Sequence, residues 1–286
     1  MTSLTGATMS MLERPDGRIA YTDEGTGPLV VLVPGMGDTQ ATWRDVVEGL
    51  RGSYRVVTTD LRGHGDSDTS FTRHGDDATG EDVLALVEHL DAGPAVLMGN
   101  SMGASAAVWA AAQRPDLVAG LVLVSPLLST GGRAMEVAVK MTFRVLFSGP
   151  WGPALWGRYY TSPLSRGRRS PRLAEHVEQV VAALRRPGRM RAFRALVNQL
   201  DHGVADAVAD QVTTPAVVVV GDRDPDYRDP AATLATMAER LHASAVLVPD
   251  VAHYAQHQAP EVVLDATEQL IASLTRDGER WAVRGA

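Results

Sequence analysis

The stretch Ala95-Val96-Leu97-Met98-Gly99-Asn100-Ser101-Met102-Gly103-Ala104-Ser105-Ala106-Ala107 decides the fold. It opens as a short apolar run, passes through Gly-x-Ser-x-Gly and continues in an alanine-rich helical pattern. That is a strand, a sharp turn and a helix, with a serine at the apex. Gly99 and Gly103 lack side chains where strand and helix must approach closely. A turn this tight holds Ser101 in a strained conformation with its hydroxyl above the sheet. A serine hydroxyl alone is a poor nucleophile, so the reading requires a base and an acid from elsewhere in the chain. The bland alternative is a glycine-bearing turn with no chemistry, and the partners decide between the two.

Outward from this stretch, the pattern is one of alternation. Residues 8–13 and 18–23 read as two strands joined at Asp16-Gly17, a hairpin signal. Leu29–Val33, Tyr54–Thr59, Gly120–Val124, Ala216–Val220 and Ala245–Val248 are apolar runs of strand length. Helical patterns follow at about 40–50, 80–92, 229–241 and 260–274. Thr39, Thr79 and Asp229 are placed to cap three of them. Strands alternating with helices predict an α/β fold, a mostly parallel sheet covered on both faces, with ligands bound at the carboxyl ends of the strands. The glycine-rich or polar stretches Pro34–Gly37, Asp60–Ser67, Gly99–Gly103, Gly221–Asp226 and Asp250–His253 all fall at such ends.

The alternation lapses between residues 127 and 208. This gives a first core part over 1–126, a helical cap or lid over 127–208 and a second core part over 209–286. Charge marks the same segment. Residues 131–200 hold 12 arginines and Lys140 against Glu136, Glu175 and Glu178, a net of +10. The chain totals −7, so the remainder carries −17. The arginines are read as solvated groups pairing with the acidic core, with attraction of an anionic substrate or of a membrane or polyanion surface as the other readings.

Composition excludes several classes. The chain of 286 residues has no cysteine, which removes disulfides, thiolate chemistry and cysteine-ligated metals. No apolar run approaches the ~18 residues of a spanning helix, so stable membrane insertion is not expected. The N-terminus lacks a signal-peptide pattern, and the expected location is the cytoplasm. No pattern for nucleic-acid binding is present, and Gly25-Thr26-Gly27 precedes a strand instead of following one, so no dinucleotide fingerprint exists. Neither a cofactor nor a metal is expected. The expected partner is a small-molecule substrate; the oligomeric state is left open.

For the base, His253 follows a predicted strand and precedes the last helix, with His257 one helical turn on as its rival. The acid is sought between nucleophile and histidine in chain order. Val220-Gly221-Asp222-Arg223-Asp224-Pro225-Asp226 offers three carboxylates. Asp224 is the candidate, with Asp222 and Asp226 read as solvated loop charges. An oxyanion would be met by the backbone N–H groups of Met36 and Met102. Trp151, Trp156, Tyr159 and Tyr160 either line a substrate pocket or pack the lid on the core. Trp43 reads as core or pocket wall, and His64 and Asp60 as residues that order their loop.

With these motifs in order, the chain resembles the α/β-hydrolase superfamily, of the cap-bearing kind. The resemblance rests on Pro34-Gly35-Met36-Gly37, Asp60-Leu61-Arg62-Gly63-His64-Gly65-Asp66-Ser67, Gly99-Asn100-Ser101-Met102-Gly103, Gly221-Asp222-Arg223-Asp224 and Ala252-His253. It implies a nucleophile at Ser101, an acid at Asp224, a base at His253 and a cap after the strand ending near Val124. Pro34 stands where the family often has histidine, and Ala252 where it often has glycine. Ser101 argues against haloalkane dehalogenase or epoxide hydrolase chemistry, since those relatives use aspartate there. The expected activity is cleavage of a carboxylic ester, thioester or lactone. The alternatives are a C–C bond hydrolase of the meta-cleavage type, a haloperoxidase-like perhydrolase side activity, and a ligand-binding or biosynthetic member of the fold.

Overall fold

The computed structural model describes residues 8–128, 140–143, 145–147 and 149–276. Eight strands form one sheet in the order β1-β2-β4-β3-β5-β6-β7-β8. They are β1 (Met9–Arg14), β2 (Gly17–Glu24), β3 (Leu29–Val33), β4 (Arg55–Thr59), β5 (Ala95–Asn100), β6 (Val118–Val124), β7 (Ala216–Gly221) and β8 (Ser244–Val248). The hairpin β1–β2 is antiparallel and joins β4 antiparallel, whereas every pairing from β4 to β8 is parallel.

The central strands are buried on both faces, which is why they read as unbroken apolar runs rather than alternating ones. Leu29, Val31 and Val33 of β3 point into one core with Leu97, Leu121, Leu123, Val218 and Val220. Val30 and Leu32 point into the other with Val96, Met98, Val122, Val124, Val217 and Val219. Helices α2 (Asp76–Leu90) and α3 (Met102–Gln113) cover the first face, together with helix Pro230–Arg240. Helix α1 (Arg44–Leu50) and helix Pro260–Arg276 cover the second. The odd-even split along each strand is the period-2 geometry of the pleat.

Helix starts differ from expectation in two places. Helix α2 begins at Asp76, and its N-cap is Gly75, at φ 116°. Thr79 is therefore inside the first turn, where its N–H donates to Gly75 O. Asp76 and Asp77 supply the negative charge that the helix start favours. Thr39 does precede the 3-10 turn Gln40–Trp43, but its side chain makes no capping bond. Asp60 Oδ1 accepts the Gln40 N–H instead, at 2.8 Å. Asp229 caps its helix as expected, accepting from Ala232 N with Pro230 in the first turn.

Between β6 and β7 the described chain is helical, over Gly152–Thr161, Leu173–Arg185, Arg189–Gln199 and Gly203–Asp206. The residues from 129 to 139, where the expected cap begins, and the tail from 277 lie outside the described residues. The helices share an apolar centre of Phe147, Trp156, Val180, Leu184, Phe193 and Val197. A second cluster, Tyr160, Leu164, Leu173 and Tyr254, seats them on the core. Among the described residues no helix is long and apolar enough to cross a membrane.

Candidate active site

Ser101 sits between β5 and α3 with φ 55° and ψ −123°, a conformation that L-residues rarely adopt. The glycines around it are required by contact. A Cβ on Gly99 would lie 2.4 Å from the Ala104 N and Gly103 O atoms. One on Gly103 would lie 2.5 Å from the backbone oxygens of Val33 and Pro34. The loop after β3 thus runs against the turn itself, and a Cβ on Gly35 would sit 3.1 Å from Ser101 Cβ. Met102, buried, opens α3, and Met36 is half-buried between the core and the aromatic centre of the helical segment.

His253 lies on the loop after β8, and its Nδ1 is 2.9 Å from Asp224 Oδ2 and 3.1 Å from Oδ1. Asp224 follows β7, which places the two loops side by side. Asn100 Nδ2 donates to the carbonyl oxygens of both Val124 (3.3 Å) and His253 (3.1 Å). The residue before Ser101 is therefore bonded directly to the His253 backbone. The His253 N–H in turn donates to Leu164 O of the helical segment at 3.1 Å.

Asp226 departs from expectation. It is not simply a solvated loop charge, because its Oδ2 lies 3.3 Å from His253 Nδ1. Its N–H donates to Asp224 Oδ1 at 3.0 Å, which folds Asp-Pro-Asp into a turn carrying both carboxylates to one nitrogen. Burial alone would lower the His253 pKa, but Asp224 and Asp226 outweigh it and raise it to about 9. Asp224 is buried, which opposes its charge, yet the neighbouring imidazole holds it below the ordinary carboxylate value. Asp224, Asp226 and His253 also form the one group of potential metal ligands among the described residues. A metal there would take up the Nδ1 position that now faces Asp224, so the arrangement fits an oriented imidazole better than a metal centre.

His257, the rival base, is elsewhere. Its Nδ1 is 3.4 Å from Ser170 Oγ, its ring centre is 4.5 Å from that of His176, and burial lowers its pKa to about 3. His64 and Asp60 order their loop. His64 Nδ1 is 2.9 Å from Arg62 O, and burial lowers its pKa to about 4. Asp60 Oδ2 accepts the Asp66 N–H at 2.9 Å and the Gln40 side-chain amide at 3.1 Å. Trp43 is fully buried in the core.

Of the aromatic residues expected near substrate, the structure gathers some and not others. Trp156 is buried and donates its indole N–H to Gly37 O at 2.8 Å. Tyr159 packs on Trp156, and burial, with the charges of Asp226 and Asp224, raises its hydroxyl pKa. Trp151 is a correction to that expectation. It is 59% exposed, its N–H donates to Leu146 O, and it stands on the outer surface apart from the others.

The sequence reading missed Asp38. Its Oδ2 accepts from the Tyr160 hydroxyl at 2.8 Å, and its Oδ1 lies 2.7 Å from His176 Nε2 and accepts the Thr39 N–H at 2.7 Å. Tyr160 also stacks on Tyr254, the residue after His253, with ring centres 4.1 Å apart. The loop bearing Gly35–Thr39 is thus held from above by three side chains of the helical segment. The composition of that loop, with Asp38 following Gly35 and Gly37, was the only local signal.

The profile of the Alpha/beta hydrolase family matches residues 30–266. The 2-(acetamidomethylene)succinate hydrolase of Mesorhizobium japonicum is 29% identical over 261 residues, covering 89% of this chain and 92% of its own. The soluble epoxide hydrolase of a Corynebacterium strain is 25% identical over 280 residues, covering 90% and 94%. Among solved structures, an esterase from Thermogutta terrifontis superposes with a TM-score of 0.77 at 24% identity, covering 94% of this chain and 99% of that one. The matched segment runs from β3 through the serine turn and the Asp224 and His253 loops into the last helix, and on that ground the chain belongs to the alpha/beta hydrolase family.

Proposed function

We propose that the chain is a cofactor-independent serine hydrolase that cleaves a carboxylic ester, thioester or lactone of a small, largely apolar molecule. The observation that carries this reading is the His253–Asp224 pair, bonded through Asn100 to a strained serine turn. In the proposed reaction Ser101 Oγ attacks the substrate carbonyl carbon as its proton passes to His253 Nε2. The carbonyl oxygen becomes an oxyanion, stabilised by the backbone N–H groups of Met36 and Met102. The intermediate collapses, the C–O or C–S bond to the leaving group breaks, and His253 returns the proton to that group. A water then attacks the acyl-serine with His253 again as base, releasing the acid and restoring Ser101. Asp224 holds the imidazole with Nδ1–H toward itself and Nε2 free. The helical segment over 127–208 acts as the cap, with Trp156 and Tyr159 toward the substrate.

The test is intact mass after incubation with a fluorophosphonate, for wild type and Ser101→Ala. One adduct in wild type and none in the variant supports an activated serine, formed as the Ser101 oxygen displaces fluoride from phosphorus. An unlabelled wild type moves the ligand-binding reading ahead. Ser101→Ala should lower kcat on the order of 10⁶-fold if the three residues act as a unit, and a loss below tenfold overturns the assignment. The substrate panel should include vinylogous diketones, for the C–C alternative, and 2-(acetamidomethylene)succinate, for which a relative is named.

A further inference from the structure

The outer face of the helical segment carries a groove that the proposed reaction does not use. It encloses about 510 Å³ and is lined by Gly149, Arg185, Arg186, Met190, Arg191 and Arg194, with no carboxylate among the described residues that line it. Arg186 is paired with Asp66 of the core. Arg185 and Arg191 are exposed and make no ion pair with a described residue, and Arg194 donates only to the backbone oxygen of Phe147. Three of the groove's four arginines therefore have no carboxylate partner among the described residues.

Exposed apolar side chains belong to the stretch of chain that enters the groove at Gly149. Met141 is 55% exposed, Leu146 42% and Trp151 59%. The Trp151 ring packs where a Cβ on Gly149 would lie, 2.5 Å away, so it borders the groove directly. Its one polar atom already donates to Leu146 O at 3.0 Å. The indole can thus enter an apolar phase without losing a hydrogen bond, which is the condition that suits tryptophan to a lipid–water boundary.

We propose that this face docks the protein on an anionic lipid surface, with Arg185, Arg191 and Arg194 on headgroup phosphates and Trp151, Met141 and Leu146 in the interface. The long-range charge supports the orientation. Residues 131–200 carry +10 and the rest of the chain −17, so an anionic surface favours approach from the side of this segment over the remainder. A nucleic acid would engage the arginines equally but gives no place to exposed methionine and leucine side chains, so lipid is favoured. The docking does not depend on Ser101 being reactive.

The experiment is co-sedimentation of the full chain with phosphatidylglycerol–phosphatidylcholine vesicles and with phosphatidylcholine vesicles. Binding to the first and not the second, weakening as salt rises, is expected. Arg185→Glu/Arg191→Glu/Arg194→Glu should weaken it on the order of tenfold or more. Trp151→Ser, with circular dichroism unchanged, should weaken it several-fold while leaving the salt dependence. A wild type that stays in the supernatant with anionic vesicles overturns the proposal. So does a triple arginine variant that binds like wild type. Polyuridylate binding as tight as vesicle binding, and unaffected by Trp151→Ser, makes this a polyanion site. Full displacement by millimolar inorganic phosphate makes it a small-anion site, and both outcomes reject a lipid-docking face.

Discussion

His253 Nδ1 and Asp226 Oδ2 lie 3.3 Å apart, so the imidazole faces two carboxylates rather than one. Together with Asp224 they favour the protonated ring and carry its pKa to about 9. A general base works only when deprotonated, so kcat/KM should rise with pH through about 9 instead of through the ordinary histidine range. Asp226→Asn removes one of the two charges and should move that midpoint toward neutrality, with a small effect on the plateau. Asp224→Asn should lose on the order of 10⁴ in kcat if Asp224 alone fixes the tautomer, and a markedly smaller loss if Asp226 can take over. The check is a kcat/KM profile against pH for the three proteins.

Asp38 is buried, which opposes its charge, but His176 outweighs this and keeps its pKa below the ordinary carboxylate value. The stability from this contact is therefore complete above the ordinary carboxylate pKa and is lost as pH falls through the lowered value. Tyr160→Phe removes one partner of a buried carboxylate oxygen and should cost about 1–3 kcal/mol. Denaturant unfolding of wild type and variant measures it. If the contact also positions the Gly35–Thr39 loop, kcat should fall more than KM changes.

Asp60 behaves in the opposite sense. Burial raises its pKa to about 6, although the N–H groups of Asp66 and Gln40 work against that rise. The folded state therefore holds the proton more tightly than the unfolded chain, and stability declines as pH climbs from about 4 to 6, by about 3 kcal/mol from this group. Asp60→Asn should flatten that decline. Its amide hydrogens would face donors already aimed at the carboxylate, so it should also be less stable at low pH. Thermal melts of both proteins from pH 4 to 7 give the comparison.

A Cβ on Gly37, which has φ 74°, would lie 2.5 Å from the Trp156 ring. Gly37→Ala should both strain the backbone and displace Trp156, with a stability loss of more than about 1 kcal/mol. Trp156 fluorescence should shift to the red as the ring leaves its buried site. An unchanged spectrum and melting temperature would refute the coupling.

The sheet was legible because its central strands are buried on both faces. Leu29–Val33 and Ala216–Val220 contain no polar residue, and their short length, valine content and flanking prolines and glycines mark them as strands rather than buried helix. The serine turn was legible because Gly99 is demanded by contacts within a few residues, at Gly103 and Ala104, in a run that passes from strand to helix pattern. Asp226 escaped because its role depends on how Pro225 turns the chain. Asp38 escaped for a stronger reason: His176 lies 138 residues away, and no local pattern announces such a partner. The start of α2 was misplaced for a similar cause, since Asp76 is bonded to His202 at 2.8 Å across the molecule.

The bonds that Asp38 and Gly37 receive from Tyr160, His176 and Trp156 have a kinetic meaning. All three cross one seam, and Asp38 is almost wholly shielded from water. Breaking one alone would strand a buried charge or carbonyl without solvent to replace the lost partner. The seam therefore parts as a unit. Amide hydrogens on its two sides, at Thr39 and in the helix Gly152–Thr161, should exchange through one shared opening event, the signature of two discrete positions rather than of a frayed edge.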